Sequence, residues 1–213
     1  LLCNCQATNA GSVSYSPTID ADRFHQRQQY LDAIHLIRTS QFTRLQKIKP
    51  HLQSYTLYPY LEYTEMTYRI SRQSTEDILA FVEQYHDTPL VEPLVRHWLK
   101  NLAKRGQWKT FLTHYESMVS RGRVVGTKEL SCHYGFALHK NGLREKAFDQ
   151  AKKLWLVGFS QPKACDPTFQ IWRATNGITR ELAWERLALS LKENKRKLSR
   201  YLLRYIHKED KTL

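Results

Sequence analysis

Apolar residues recur along the chain at spacings of three and four, the mark of helices with one buried face. Between residues 143 and 158, Leu143, Ala147, Ala151, Leu154 and Trp155 fall at i, i+4, i+8, i+11 and i+12. The preceding segment carries Leu130, Tyr134, Ala137 and Leu138 in the same helical register, and Asn141-Gly142 between the two supplies a helix stop and a tight turn. This pair predicts a helical hairpin. Further on, Asp166-Pro167 offers an N-cap and a proline at the first helical position ahead of Phe169 and Trp172, and Asn176-Gly177 closes that helix. Segments 178–191 (Trp184, Leu187, Ala188, Leu191) and 195–206 (Leu198, Tyr201, Leu202, Tyr205) both follow i, i+3, i+4, i+7. Upstream, helices are predicted over 22–38, 41–49, 59–71, 75–86, 91–105 and 107–118, and Ser74-Thr75-Glu76-Asp77 has the form of a capping box. Alternating β-branched runs are nearly absent, so the expected fold is all-α.

Short helices joined by short turns, with related phrases at Lys104-Arg105-Gly106-Gln107-Trp108 and Lys140-Asn141-Gly142-Leu143, predict stacked helical hairpins forming an α-superhelix of the solenoid kind. The strict signature of a named repeat is not met. In such an array each hairpin buries its face on the next, so a chain reaching Leu213 within a charged, helix-compatible stretch is expected to be a fragment. At the other end, Leu1-Leu2-Cys3-Asn4-Cys5 followed by Ala7-Thr8-Asn9-Ala10 reads as the tail of a secretory signal, cleaved after Ala10. A disordered terminus and a lipid-modified Cys3 or Cys5 are the other readings of that stretch. The organisation expected is a leader or disordered segment over 1–20 and a helical domain over 21–213.

Composition narrows the class. With 12 Tyr, 8 Phe and 5 Trp against 8 Gly and 7 Pro, the 213 residues have the content of a folded domain and not of a linker or a disordered polyelectrolyte. No uninterrupted apolar run approaches the roughly 20 residues that span a bilayer. The balance is basic, with 33 Lys+Arg against 20 Asp+Glu and a net charge of +13. Its densest stretch holds Lys192, Lys195, Arg196, Lys197, Arg200, Arg204 and Lys208 against Glu193 alone. On a helix these residues either form a solvated face or meet an anionic partner, phosphates or the carboxylates of cell-wall peptides, with salt-sensitive binding in the phosphate case.

Candidate chemistry is sparse. Cys-x-x-Cys, His-x-x-x-His and His-Glu-x-x-His spacings are missing, as are a glycine-rich phosphate loop and Gly-x-Ser-x-Gly, so neither a metal nor any other cofactor is expected. Glu62 and Glu65 could present two carboxylates to a sugar, but a solvated face balancing Arg69 and Arg72 is the preferred reading. Two cysteines lie outside the leader, Cys132 and Cys165. In an exported protein they can pair, closing a loop worth roughly 3–4 kcal/mol by chain entropy; in a reducing compartment they are two buried thiols.

Three phrases carry a resemblance: Tyr55-Thr56-Leu57-Tyr58-Pro59-Tyr60-Leu61-Glu62-Tyr63, then Leu154-Trp155-Leu156-Val157-Gly158-Phe159-Ser160-Gln161-Pro162-Lys163-Ala164-Cys165-Asp166, and Trp172-Arg173-Ala174. Together they resemble the amino-terminal region of the soluble lytic murein transglycosylases, with similarity running from about Gln28 onward. The resemblance implies the start of a U-shaped α-superhelix that closes into a ring with a linker domain, on which a lysozyme-like catalytic domain sits. It further implies a periplasmic enzyme family that cuts the MurNAc-β-1,4-GlcNAc bond of peptidoglycan. One glutamate there serves first as acid and then as base while a 1,6-anhydro ring closes.

In that family the glutamate precedes a serine, followed by Gly-Leu-Met-Gln and later Ala-Tyr-Asn-Ala-Gly. Here the only Glu-Ser is Glu116-Ser117, continued by Met118-Val119-Ser120-Arg121, and neither later motif occurs, so Glu116 is read as a decoy. No catalytic residue is expected among these 213. The resemblance does carry Cys132 and Cys165 over, as positions that form a disulfide in the family's superhelix. Tyr58, Tyr60, Trp155 and Trp172 are read as hairpin core and not as sugar platforms. The expected partners are peptidoglycan, through the parent enzyme, and the linker and catalytic domains of the same polypeptide, with no nucleic acid and no transmembrane span. The expected location is the periplasm. The alternative is a stand-alone basic helical-repeat module that clamps a protein or a nucleic acid.

Overall fold

The computed structural model describes residues 17–206, and the expected leader, Cys3, Cys5 and Lys208 lie outside the described residues apart from the helix turn that starts at Pro17. Every regular element among the described residues is helical. They divide into two compact units, with the boundary in the chain between Tyr68 and Arg69.

The first unit holds α1 (Pro17–Arg38), α2 (Phe42–Ile48), a single 3₁₀ turn (Lys49–Leu52) and α3 (Tyr58–Tyr68). Its core is Ala33, Ile37, Leu45, Leu52 and Leu61, all without solvent exposure. The Tyr68 hydroxyl donates to the Arg38 carbonyl at 3.1 Å, tying the end of α3 to the end of α1.

The second unit continues with α4 (Thr75–Gln84), α5 (Val91–Lys104), α6 (Trp108–Ser120), α7 (Lys128–Lys140), α8 (Arg144–Trp155), α9 (Asp166–Ala174), α10 (Arg180–Lys192) and α11 (Arg196–Leu202). Neighbours in sequence pack as neighbours in space: α5 on α6, α6 on α7, α7 on α8, α10 on α11, with α9 against both α7 and α8. The stacked hairpins expected from the spacing are present.

Four hairpins use one joint. After α1, α5, α7 and α10 the chain enters the left-handed region at Ser40, Gly106, Gly142 and Asn194. The next residue caps the following helix at φ near −85° and ψ near 60°: Gln41 (−87°, 57°), Gln107 (−82°, 59°), Leu143 (−86°, 62°) and Lys195 (−91°, 64°). In each case its N–H reaches back to a carbonyl of the last turn, as Leu143 does to Leu138 at 2.9 Å and Lys195 to Ser190 at 2.8 Å. This satisfies carbonyls that the helix end would otherwise leave without partners. Other helices begin differently. Ser74 and Asp77 form the capping box expected for α4, and the hydroxyls of Thr127 and Thr179 accept from the N–H groups of Leu130 and Leu182 to cap α7 and α10.

Several expectations need correction. Helix α8 stops at Trp155 and not at 158, because the Gln161 side-chain amide donates to the Leu154 carbonyl at 2.8 Å, while Gly158 passes so close to α10 that a Cβ there would lie 2.6 Å from the Leu189 carbonyl oxygen. Asp166 is the first residue of α9 and not its cap, since a 3₁₀ turn over Lys163–Cys165 delivers the chain already helical. At Asn176-Gly177 the left-handed residue is Asn176. Gly177 is required instead by contact: a Cβ would sit 2.1 Å from the Trp172 indole nitrogen.

The largest correction is the phase of α10. Trp184, Ala188 and Leu191 face outward, and the buried face is Ala183, Arg186, Leu187 and Ser190. Small residues permit close approach here, and the Ser190 and Ser199 hydroxyls share a hydrogen bond at 2.8 Å between α10 and α11.

Candidate functional site

A disulfide, a buried hydrogen bond and a close glycine contact come together where α7, α8 and α9 meet. Cys132 on α7 and Cys165 at the end of the 3₁₀ turn before α9 are joined by a disulfide, with Cα atoms 4.6 Å apart and both side chains fully buried. Beside it the buried Thr168 hydroxyl donates to the Cys132 carbonyl at 3.2 Å. Gly135 lets the helices approach: a Cβ there would stand 3.1 Å from the Thr168 methyl and 3.3 Å from the Gln150 side chain. The 33-residue separation closes one covalent loop around the later part of α7, the turn after it and all of α8.

The carboxylates singled out in the sequence sit in two different settings. Glu116 is an exposed residue that accepts a hydrogen bond from the Tyr134 hydroxyl at 2.8 Å, and burial, followed by that bond, pushes the Tyr134 hydroxyl up to about 12. Glu62 and Glu65 are not a solvated face. Glu65 is 7% exposed, and the Lys49 ammonium lies 2.9 Å from Glu65 Oε2 and 3.2 Å from Glu62 Oε1, with Gln46 donating to Glu65 as well. Burial alone would lower the Lys49 value, but the bonds and charges of Glu65 and Glu62 hold it above the ordinary lysine range. The cluster braces α3 against the turn after α2. Among the described residues no group of three or more His, Cys, Asp or Glu is placed to hold a metal ion.

The basic stretch is fully displayed: Lys192, Lys195, Arg196, Lys197, Arg200 and Arg204 are all exposed. Arg196 and Arg200 lie one helical turn apart on α11, and the Arg204 guanidinium lies 4.4 Å from the Tyr201 ring centre. The aromatic residues divide. Trp155 and Trp172 are core, at 3% and 4% exposure, with ring centroids 6.1 Å apart, whereas Tyr58 is half-buried and Tyr60 is exposed at 44%, against the expectation that both are core.

One residue escaped sequence reasoning. Arg186 is 3% exposed, with its guanidinium 4.0 Å from the Trp155 ring centre and one weak donation, 3.4 Å, to the Phe159 carbonyl. Burial drives its value down to about 10. The available signal was the interval from Ala183 through Leu187 to Ser190, which places Arg186 on the inner face once the small residues are taken as the buried set.

The described residues define an all-α class of protein, a disulfide-tied array of helical hairpins. More particularly, the chain is homologous to one region of the soluble lytic murein transglycosylases. It is 33% identical over 182 residues to the Escherichia coli K12 protein of that name, a match covering 85% of this chain and 26% of the relative. To the Salmonella typhimurium protein it is 34% identical over 168 residues, covering 78% and 25%.

The crystal structure of the 70-kDa soluble lytic transglycosylase of Escherichia coli superposes with a TM-score of 0.75 at 30% identity, over 88% of this chain and 29% of that one. An inactive mutant of the lytic transglycosylase Slt from Pseudomonas aeruginosa gives 0.70 at 31% identity, over 84% and 28%. No protein-family model matches the chain. The chain spans about a quarter of the length of the curated relatives it matches. Among the described residues no helix is long and apolar enough to cross a membrane.

Proposed function

We propose that this stretch is the amino-terminal superhelical scaffold of a periplasmic lytic transglycosylase, an enzyme that cleaves the MurNAc-β-1,4-GlcNAc bond of peptidoglycan with closure of a 1,6-anhydro ring. The observation that carries the reading is the joint match in sequence and fold, 30% identity at a TM-score of 0.75, over 88% of the chain. The disulfide supports it, since such bonds persist in oxidising compartments such as the periplasm. Within these 213 residues Glu116 lacks the motifs that accompany the family's catalytic glutamate and is exposed beside Tyr134, so this stretch positions and does not cut. Catalysis belongs to a lysozyme-like domain of the same polypeptide.

The exposed cations of α11 favour contact with the carboxylates of the wall. The purified 213-residue chain should sediment with insoluble sacculi at low salt, release as salt rises, and liberate no anhydromuropeptides. Anhydro products would overturn the scaffold reading. Sacculi binding weaker than binding to duplex DNA under the same salt would favour the stand-alone basic module instead.

A further inference from the structure

The hollow that contains Arg186 has the composition of a ligand site. It is a cavity of about 280 Å³ walled by the end of α8, the loop after it, α9, α10 and α11. Trp155, Phe169 and Tyr201 give it apolar faces, and Arg186, Lys197 and Asp166 are its charged residues. Two cations against one anion leave it positive.

Three enclosed polar atoms of its wall have no protein partner: the indole nitrogen of Trp155, Nε of Arg186 and Oε1 of Gln161. No carboxylate pairs with Arg186 among the described residues, although it is almost entirely buried. A buried guanidinium without an anion is costly, and the Trp155 face with one long carbonyl contact compensates only part of that cost. Gln161 is fixed by its other end, which donates to the Leu154 carbonyl, so its free oxygen is held in the wall as an acceptor. The spare capacity is therefore of two kinds: donors and positive charge for a carboxylate, and an acceptor with a nearby carboxylate, Asp166, for an N–H or ammonium.

We infer that this cavity binds a carboxylate-bearing ligand with an N–H on the adjacent carbon, the arrangement found at the end of a peptide and in a free amino acid. The aromatic walls take its side chain, Arg186 and Lys197 take the carboxylate, and Gln161 with Asp166 takes the nitrogen. This assignment rests on the cavity itself and stands whether or not the parent polypeptide cuts peptidoglycan.

The test is calorimetric titration of the full 213-residue chain with N-acetylalanine, free alanine and N-acetylalaninamide. One saturable site for a carboxylate probe is expected, with the amide bound roughly tenfold more weakly or worse, since it lacks the charge. Tighter binding of N-acetylalanine identifies a peptide end as the source, and tighter binding of alanine a free amino acid. Arg186→Met should abolish the heat while the circular dichroism spectrum is retained. Lys197 is exposed and outside the core, so Lys197→Gln should weaken binding severalfold in a folded protein even if the first variant misfolds. No saturable heat with either carboxylate, equal binding of the amide, or undiminished binding by folded Lys197→Gln overturns the assignment.

Discussion

Two glycines separate close contact from backbone geometry. Gly177 is not in the left-handed region, but the Trp172 ring occupies the space a methyl would need, and the backbone at residue 177 donates to the Trp172 carbonyl at 3.0 Å. Gly177→Ala should therefore cost about 1–3 kcal/mol by overpacking, visible in urea unfolding and in a red-shifted Trp emission. At Gly142, with φ of +80° and nothing within 4 Å of a Cβ, alanine should cost about 1–2 kcal/mol through the backbone alone and leave the spectrum unchanged.

The disulfide adds a covalent contribution at this scale. Replacing both Cys132 and Cys165 by serine should lower stability by roughly 3–4 kcal/mol, and reductant should then have no further effect.

Burial pushes His133 and His114 below the ordinary imidazole value of 6.5; at His133 the charge of Glu129 opposes this and that of Lys100 adds to it. The folded chain thus holds fewer protons than the unfolded chain just below 6.5. Their contribution is whole above that value and is lost as pH falls through the lowered ones, so the melting temperature should drop from pH 7 to pH 5, and His133→Phe should flatten the drop.

At the scale of elements, the hairpin joint explains how far the sequence could be read. The two joints marked by glycine, at Gly106 and Gly142, were visible as related phrases. The two at Ser40 and Asn194 have the same backbone but no glycine, so nothing in the residue pattern announced that they repeat the unit. Helix α10 misled for another reason. Trp184 and Leu191 make the bulkier stripe, yet the face that packs is the one whose small residues, Ala183 and Ser190, let α11 approach. Bulk signals a buried face only where the neighbouring helix leaves room for it. Of the three hydroxyl caps, Ser74, Thr127 and Thr179, only Ser74 was legible, because Asp77 three residues on completes a capping box. Thr127→Ala and Thr179→Ala should each cost about 1 kcal/mol, with Thr→Asn nearly neutral, as measured by chemical denaturation.

At the scale of the whole molecule, the all-α class was readable because helical spacings recur through α7, α8 and α11 while alternating β-branched runs are nearly absent, and the kinship was readable from long, unusual phrases around Pro59 and Trp155. Arg186 and its cavity were not. That site is assembled from Trp155, Gln161, Arg186 and Lys197, which no local spacing links, and only packing brings them together.

As the proposed scaffold, this chain should be able to take the place of the region it matches in the soluble lytic transglycosylases. The most direct measurement replaces that region of the Escherichia coli enzyme with residues 17–206 of this chain and follows release of anhydromuropeptides from sacculi. A soluble, folded chimera that releases them at a rate within an order of magnitude of the parent is the predicted result. A folded chimera that binds sacculi but releases nothing would contradict the account.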